Sequence, residues 1–332
     1  MTKRDEIARA IRAGHRALLF AHVMPDGDTI GSVLGLAWGL RQLGLVARVA
    51  CADPVPAELH FLPGVDEFAP RRPSDEDLIM ILDASDLSRI GDLYDQERFA
   101  AALLINIDHH VTNTHFADLT WIEPRASTAE LILDLLLQLD VRLDADIATC
   151  LLTGIVTDTR CFCTANTEPA TLRAAIRLMD AGASLAQITD AVFSHRSMDV
   201  IRLWGPALCR AVLSDGVLWT EISQEMLRQA NATLEASNGL VNFLSTMHEA
   251  RAAAVFREMG DGTVDVSLRS KPGIDVSGVA FAFGGGGHAQ AAGCQVVGEL
   301  AEVRERIVRA LQQEVRASLE APERIRSVIE RL

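Results

Sequence analysis

Several things are missing from this chain, and each absence narrows the reading. No apolar run approaches the ~18 residues that a membrane span needs, although the mean hydropathy is +0.17. The opening residues, MTKRDEIARAIRAGHRALLF, carry acids among their bases and no small-residue cleavage site. They predict an amphipathic helix leading into a strand rather than a signal peptide, and so a cytoplasmic protein without a membrane partner. Paired cysteines are missing too. The six thiols, at positions 51, 150, 161, 163, 209 and 294, are scattered. Cys161-x-Cys163 has no second pair at zinc-ligand spacing, so all six read as reduced, ordinary thiols. Positive charge is scarce, with 31 Lys+Arg against 45 Asp+Glu and a net charge of −14. A long nucleic-acid footprint needs basic surface, so long nucleic acid is excluded as a partner. A small phosphorylated substrate gripped by metals and a few arginines is not. No internal repeat or low-complexity tract is present.

What the chain does have is 332 residues, 49% of them hydrophobic, which suits two domains with real cores. Arg16–Val23 reads as a first strand, followed by a tight loop, His22 to Asp28, punctuated by Pro25 and Gly27. A helix from Thr29 to Leu43 follows, with Thr29 as its expected cap. Ala47–Ala50, Leu78–Leu82 and Ala101–Ile107 read as strands two to four. Helices are expected over 127–139, opened by a Ser127-x-x-Glu130 capping box, and over 144–158, 167–181 and 185–193. The Leu-rich helix 127–139 reads as core in preference to a dimer face, and a homodimer is left open. Strands alternating with helices imply a parallel sheet with helices on both faces. The pattern weakens around 194–206, which suits a connector. Beyond it, Asp215-Gly216 and Asp261-Gly262 mark two hairpins. A short helix over 276–283, the run Gly284–His288, a strand over 294–297 and a charged helix over 299–319 complete a smaller mixed-sheet α/β domain.

The chemistry-bearing residues gather where strands end. His22, Asp26 and Asp28 follow strand one, Asp83 follows LIMIL, and Asp108, His109 and His110 follow AALLINI. Asp158 ends a helix. In an open parallel sheet, such strand ends converge on one edge, where ligands bind. Taken singly, Asp26-Gly27-Asp28 is a plain turn and Asp83 or Asp158 an ordinary element end. Taken together, the carboxylates would repel one another unless a cation resolved the charge. Asp26, Asp28, Asp83 and Asp158 balance two divalent ions, with His22 and His109 as neutral ligands. This mixed oxygen–nitrogen set suits Mn²⁺, with Mg²⁺ second. Two metals ~3.5–4 Å apart, activating a water between them, serve displacement at phosphorus.

These residues resemble a known family. His22-x-x-Pro25-Asp26-Gly27-Asp28-x-x-Gly31-Ser32, Asp83, Asp108-His109-His110 and Thr157-Asp158-Thr159 look like the four motifs of the DHH phosphoesterase superfamily. Gly284–His288 with Ala291-Ala292-Gly293 is similar to the signature of the DHHA1 domain that often follows. The resemblance spans about residues 15–298. It implies that His22 and Asp26 hold one Mn²⁺, that Asp28, His109 and Asp158 hold the other, and that Asp83 bridges them, with Mg²⁺ or Co²⁺ as substitutes. It places His110 toward the scissile phosphate and Asp108 behind His109, as the carboxylate that orients it. It assigns Arg269, Ser270, Gly286, Gly287 and His288 to gripping the substrate. The residues agree with that assignment, because Arg269 offers a phosphate fork and glycines let backbone N–H groups approach an anion. One departure stands out. Family members often place a glycine after Asp158-Thr159, and here it is Arg160, followed by Cys161-Phe162-Cys163.

The expectation is therefore a DHH domain over 1–190, a connector over 191–210 and a DHHA1 domain over 211–332, with the active site between the two domains. The resemblance implies an Mn²⁺-dependent phosphoesterase that degrades short oligoribonucleotides to mononucleotides and dephosphorylates 3′-phosphoadenosine 5′-phosphate. Hydrolysis of a cyclic dinucleotide or its linear product is the close alternative. Pyrophosphate hydrolysis, processive single-strand degradation and a nucleotide-binding regulator without catalysis are weaker readings.

Overall fold

The computed structural model describes residues 2–194 and 197–329, without the side chains of 320–329. The chain divides into two compact units, 1–195 and 196–332. Among the described residues no helix is long and apolar enough to cross a membrane.

The first unit runs α1 (Lys3–Ala13), β1 (Arg16–Phe20), α2 (Gly27–Gln42), β2 (Val46–Ala50), β3 (Leu78–Leu82), α3 (Gln96–Ala101), β4 (Leu103–Asp108), β5 (Leu119–Ile122), α4 (Thr128–Gln138), α5 (Ala145–Asp158), α6 (Pro169–Asp180) and α7 (Leu185–Thr189). Its sheet is wholly parallel, in the order β2-β1-β3-β4-β5. Both faces are covered, so strands such as LIMIL are buried at every position. Leu19 and Met80 face the core made with α1, α2, α4 and α5. Phe20, Ile79 and Ile81 face a smaller core under α3 and a 3₁₀ turn at Leu87–Leu93. The strand order reverses between β1 and β3, which makes the carboxyl edge there a topological switch point, the usual ligand crevice of such sheets.

The structure corrects several local expectations. The Ala101 end of the fourth strand belongs to α3 instead, and Asp108 is that strand's last residue. A fifth strand, LTWI, joins the sheet, although its four mixed residues carry little periodicity. Helix α2 starts two residues early, and its cap is Asp26 rather than Thr29. The Asp26 carboxylate accepts from the N–H groups of Asp28 and Thr29. Helix 185–193 is a single turn of α-helix followed by a π-turn over Asp190–Ser194. The expected connector 191–210 contains a helix, α8 (Met198–Cys209), whose Leu203 and Ala207 are fully buried in the second unit. Residues 195 and 196 of that connector lie outside the described residues.

After α8 the second unit continues β6 (Val212–Ser214), β7 (Val217–Ile222), α9 (Gln224–Ala230), α10 (Leu240–Ser245), β8 (Ala252–Glu258), β9 (Thr263–Ser270), α11 (Val276–Ala282), β10 (Gly286–His288), β11 (Ala291–Val297) and α12 (Leu300–Ile329). Its sheet, β10-β11-β9-β8-β7-β6, is antiparallel except for the β7–β8 pair. Alternation along β8 sends Ala252, Ala254 and Phe256 to the α12 face. Ala253 and Val255 go to the face covered by α8, α9 and α10.

Candidate active site

Three features of the first unit bring the acidic residues together. First, β1, β3 and β4 are adjacent and in register, so the residues after their carboxyl ends share one edge. Second, α2 crosses α5 almost backbone to backbone. A Cβ added at Gly31 would stand 2.3 Å from the Cys150 carbonyl oxygen, and one at Gly154 would stand 2.7 Å from Asp28 Oδ1. That closeness sets Asp28, in the first turn of α2, near Asp158 at the end of α5. Third, the N-terminus of α4 points at Asp28. The Thr128 and Ala129 N–H groups donate to its two oxygens at 2.6 and 3.0 Å, and Ser32 Oγ donates at 3.2 Å. The Ser127 capping box therefore does not form. Ser127 makes no side-chain cap, and among the described residues Ser127 Oγ and Glu130 Oε1 are buried without a hydrogen-bond partner. The helix spends its free N–H groups on the buried carboxylate, an anion suited to a helix N-terminus.

The side chains converge as three overlapping groups, in each of which the ligand atoms lie within 4.8 Å of one another: His22, Asp26 and Asp83; Asp28, His109 and Asp158; and Asp83, Asp108, His109 and His110. Asp83 joins them. Its Oδ2 lies 3.7 Å from His22 Nε2, and its Oδ1 lies 3.5 Å from His109 Nε2 and 3.7 Å from His110 Nδ1. Thr128 Oγ1 donates to the same Oδ1 at 2.9 Å. His22 Nε2 lies 3.8 Å from Asp26, and His109 Nε2 lies 3.4 Å from Asp158. Asp83 sits at φ +57, in the left-handed region. Its N–H is tied to the Ile107 carbonyl at 3.0 Å.

One expected contact is wrong. Asp108 does not orient His109. Its Oδ1 lies 2.7 Å from His110 Nδ1, while Asn113 Nδ2 donates to its Oδ2 at 2.7 Å. His109 is held instead by Arg125, whose carbonyl lies 3.1 Å from His109 Nδ1. The two rings stand edge to face, 4.3 Å between centroids, and the buried Asp108 carboxylate bonds to the second of them. A buried amide pair completes the floor. Asn106 Nδ2 donates to the carbonyls of Ile81 and Ala84, and Asn113 Nδ2 donates to Asn106 Oδ1 at 2.9 Å. Thr128, Asn106, Asn113, Arg89 and the Arg125 carbonyl were not legible beforehand. They are neither acidic nor motif-like, and only the fold brings them to the site.

The electrostatics state what the cluster requires. Burial, then the neighbouring Asp26 and Asp28 charges, hold Asp83 well above the carboxylate range. Burial also raises Asp28, with Asp26 adding to it. Burial and Asp28 push Asp158 up to about 8. Burial opposes charge on His109, but Asp28, Asp83 and Asp158 outweigh it and raise the imidazole to about 9. Asp108 is also buried, yet its hydrogen bond from His110 keeps it below the usual range. Four carboxylates crowded this way need positive charge among them. Their oxygen and imidazole-nitrogen donors, grouped around a shared Asp83, are the donor chemistry of a divalent metal centre.

The chain matches the family model "DHH family, N-terminal domain" over residues 16–155 and the DHHA1 domain over residues 216–317. It is 35% identical over 317 residues to the bifunctional oligoribonuclease and PAP phosphatase NrnA of Thermus thermophilus, covering 93% of both chains. The chain belongs to the DHH family. As a member it is a hydrolase of phosphoester bonds. It is also 29% identical to the Bacillus subtilis protein of the same description, over 88% of this chain and 93% of that one. The cyclic-di-AMP phosphodiesterase GdpP of Geobacillus thermodenitrificans is 26% identical, and there the match spans only 45% of the relative. An exopolyphosphatase-related protein from Bacteroides fragilis shares the fold, with a TM-score of 0.89, 24% identity and coverage of 96% and 98% of the two chains.

Two further expectations have structural answers. Arg160, where the family often has glycine, takes φ +48, and Cys161 and Phe162 follow at +58 and +64. The position is left-handed, which is why glycine suits it. Thr159 holds the turn, its Oγ1 accepting from the Phe162 N–H at 2.9 Å and its carbonyl from the Cys163 N–H at 2.8 Å. In the second unit, Arg269, Ala291 and His288 stand in one cross-strand row of β9, β11 and β10. Arg269 Nε donates to Asn242 Oδ1 at 2.8 Å, and Ser270 Oγ donates to the Ile274 carbonyl at 2.7 Å. Gly287 is demanded by its neighbour strand, since a Cβ there would stand 2.5 Å from the Ala291 carbonyl oxygen. Gly286 has open space above it.

Proposed function

We propose that this chain hydrolyses short oligoribonucleotides to mononucleotides and dephosphorylates 3′-phosphoadenosine 5′-phosphate, with two Mn²⁺ ions held by His22, Asp26, Asp28, Asp83, His109 and Asp158. One observation carries it: the two oxygens of Asp83 face two separate ligand groups, one at His22 and Asp26, the other at Asp28, His109 and Asp158. The printed activities of the Thermus and Bacillus relatives supply the substrate class. When bound, the two cations supply Lewis acidity toward the phosphoryl oxygens and a nucleophile at neutral pH.

The chain's own residues do the rest. Asp83 and the α4 N–H groups fix where the ligands stand. Asp108 and Asn113 hold the proton of His110 on Nδ1, so Nε2 is the nitrogen that serves the leaving oxygen. Arg269, Ser270, Gly286, Gly287 and His288 are proposed as nucleotide-binding residues, on the grounds of the Arg269 charge, the row that joins Arg269 to His288 through Ala291, and the glycine backbone of β10 beside it. The GdpP match favours a second reading, cleavage of a cyclic dinucleotide.

The test is Asp83→Asn, assayed with Mn²⁺ on pApA, a five-nucleotide RNA, 3′-phosphoadenosine 5′-phosphate and cyclic di-AMP. Asparagine tolerates the left-handed backbone at this position, so loss of activity will report the lost charge. Activity on every substrate is expected to fall by at least ~10³-fold. Full retention would refute the shared-ligand arrangement. Wild-type preference for the cyclic dinucleotide would replace the substrate assignment.

A further inference from the structure

We infer that Arg89 is a phosphate-binding residue of this site. Its guanidinium is half-buried beside the ligand cluster, and among the described residues no carboxylate lies within ion-pair reach of it. Among the described residues, its side chain comes within hydrogen-bond distance of one atom, His22 Nδ1, 3.0 Å from Nη2. The same Nδ1 stands 2.8 Å from the Val23 carbonyl oxygen. One ring nitrogen cannot accept a hydrogen bond from Arg89 and donate one to Val23 at the same time.

His22 as a metal ligand decides between the two. Its Nε2 faces Asp26 and Asp83, so the ligand lone pair is on Nε2 and the proton is on Nδ1. That proton goes to the Val23 carbonyl, and Arg89 then has no acceptor on the ring. A half-buried guanidinium with its donors unused is costly unless an anion takes them. The anion present in this reaction is the phosphoryl group, whose paired oxygens match the fork of an arginine.

The mount is rigid. The Arg89 carbonyl accepts from the Val23 N–H at 2.7 Å, tying it to the segment that carries His22. Gly91, at φ +65, lets the turn close, because a Cβ there would stand 2.9 Å from Val23 Cγ1. The guanidinium is thus placed beside the substrate before it arrives, which lowers the ordering cost of binding.

This inference rests on the metal-dependent phosphoesterase reading, and the test separates the two. The full chain is loaded with Mn²⁺, and inorganic phosphate is titrated calorimetrically into wild type, Arg89→Gln and Arg89→Lys. Mn²⁺ stoichiometry and affinity are measured by electron paramagnetic resonance, and folding by thermal melting. Arg89→Gln is expected to weaken phosphate binding about tenfold, with Arg89→Lys in between and Mn²⁺ affinity within about twofold of wild type. Unchanged phosphate affinity in both variants overturns the assignment. So does a tenfold loss of Mn²⁺ affinity with unchanged phosphate binding to the loaded protein, which would make Arg89 a prop for His22. A loaded wild type that binds no phosphate sinks the phosphoesterase reading itself. A variant that fails to melt cooperatively is judged by the other, since lysine keeps the charge without the fork.

Discussion

Removing divalent cations should make the first unit's stability fall steadily as pH rises from about 5 to 9. Asp158 has its folded value raised from 3.8 to about 8, by burial and by Asp28. A raised carboxyl keeps its proton in the folded state and loses it in the unfolded one. The stability tied to that proton is full below 3.8 and is lost as pH climbs to about 8. His109 is raised from 6.5 to about 9, so its contribution is full below 6.5 and is lost through about 9, with the same sign. Carboxylates shifted down, such as Glu76 and Asp77, act oppositely, but only below about pH 5. The rise at Asp158 bounds its own effect at roughly 6 kcal/mol. Because it shares charge with His109 and reaches solvent on one side, about 2 kcal/mol is expected, or some 4–8 °C in melting temperature. Cations should reverse the trend, since ligands must be deprotonated to bind them. The assay is melting of chelator-treated protein across pH 5–9, repeated with saturating Mn²⁺ and with Asp158→Asn. A chelated midpoint that rises over that range, or a slope that Asp158→Asn leaves untouched, would refute the electrostatic account.

Three other outcomes follow from the geometry. Thr128→Val removes the hydroxyl that holds Asp83 Oδ1; it should weaken Mn²⁺ binding about tenfold in a metal titration, while the helix N–H groups still hold Asp28. Arg160→Gly relieves a left-handed non-glycine backbone; it should raise the denaturation free energy by about 1 kcal/mol, measured by urea titration. Gly31→Ala forces a Cβ against the Cys150 carbonyl at the crossing of α2 and α5; it should cost about 2–4 kcal/mol in the same titration and loosen the cluster, seen as weaker metal binding.

Much of this site lay open in the sequence, for a simple reason. Parallel strands end on one edge, and acidic or imidazole residues placed just past apolar runs are carried there together. His22, Asp83, Asp108, His109 and His110 could be placed from their neighbours alone, and Asp26 and Asp28 from the turn that follows β1. The hairpins at Asp215-Gly216 and Asp261-Gly262 were equally local, because their turn chemistry is written in two residues.

Other features were decided in three dimensions. Ser127-x-x-Glu130 has the letters of a capping box, but a buried Asp28 one hundred residues earlier competes for the same N–H groups and takes them. Asp108 sits next to His109 in the chain, yet strand geometry turns its carboxylate to His110. Asn106 and Asn113 look like ordinary polar residues until their side chains meet under the end of β3. Arg89 becomes notable only when the turn after β3 brings it to His22. The sequence by itself determined most of the strands and helices around the site and which donors reach the sheet edge, because periodicity and turn chemistry are short-range; short or weakly periodic elements such as β5 and α8 took shape only in the fold. Which donor holds which acceptor was left to the tertiary structure, because hydrogen bonds between distant segments depend on how α2, α4 and α5 pack, and no local pattern records that.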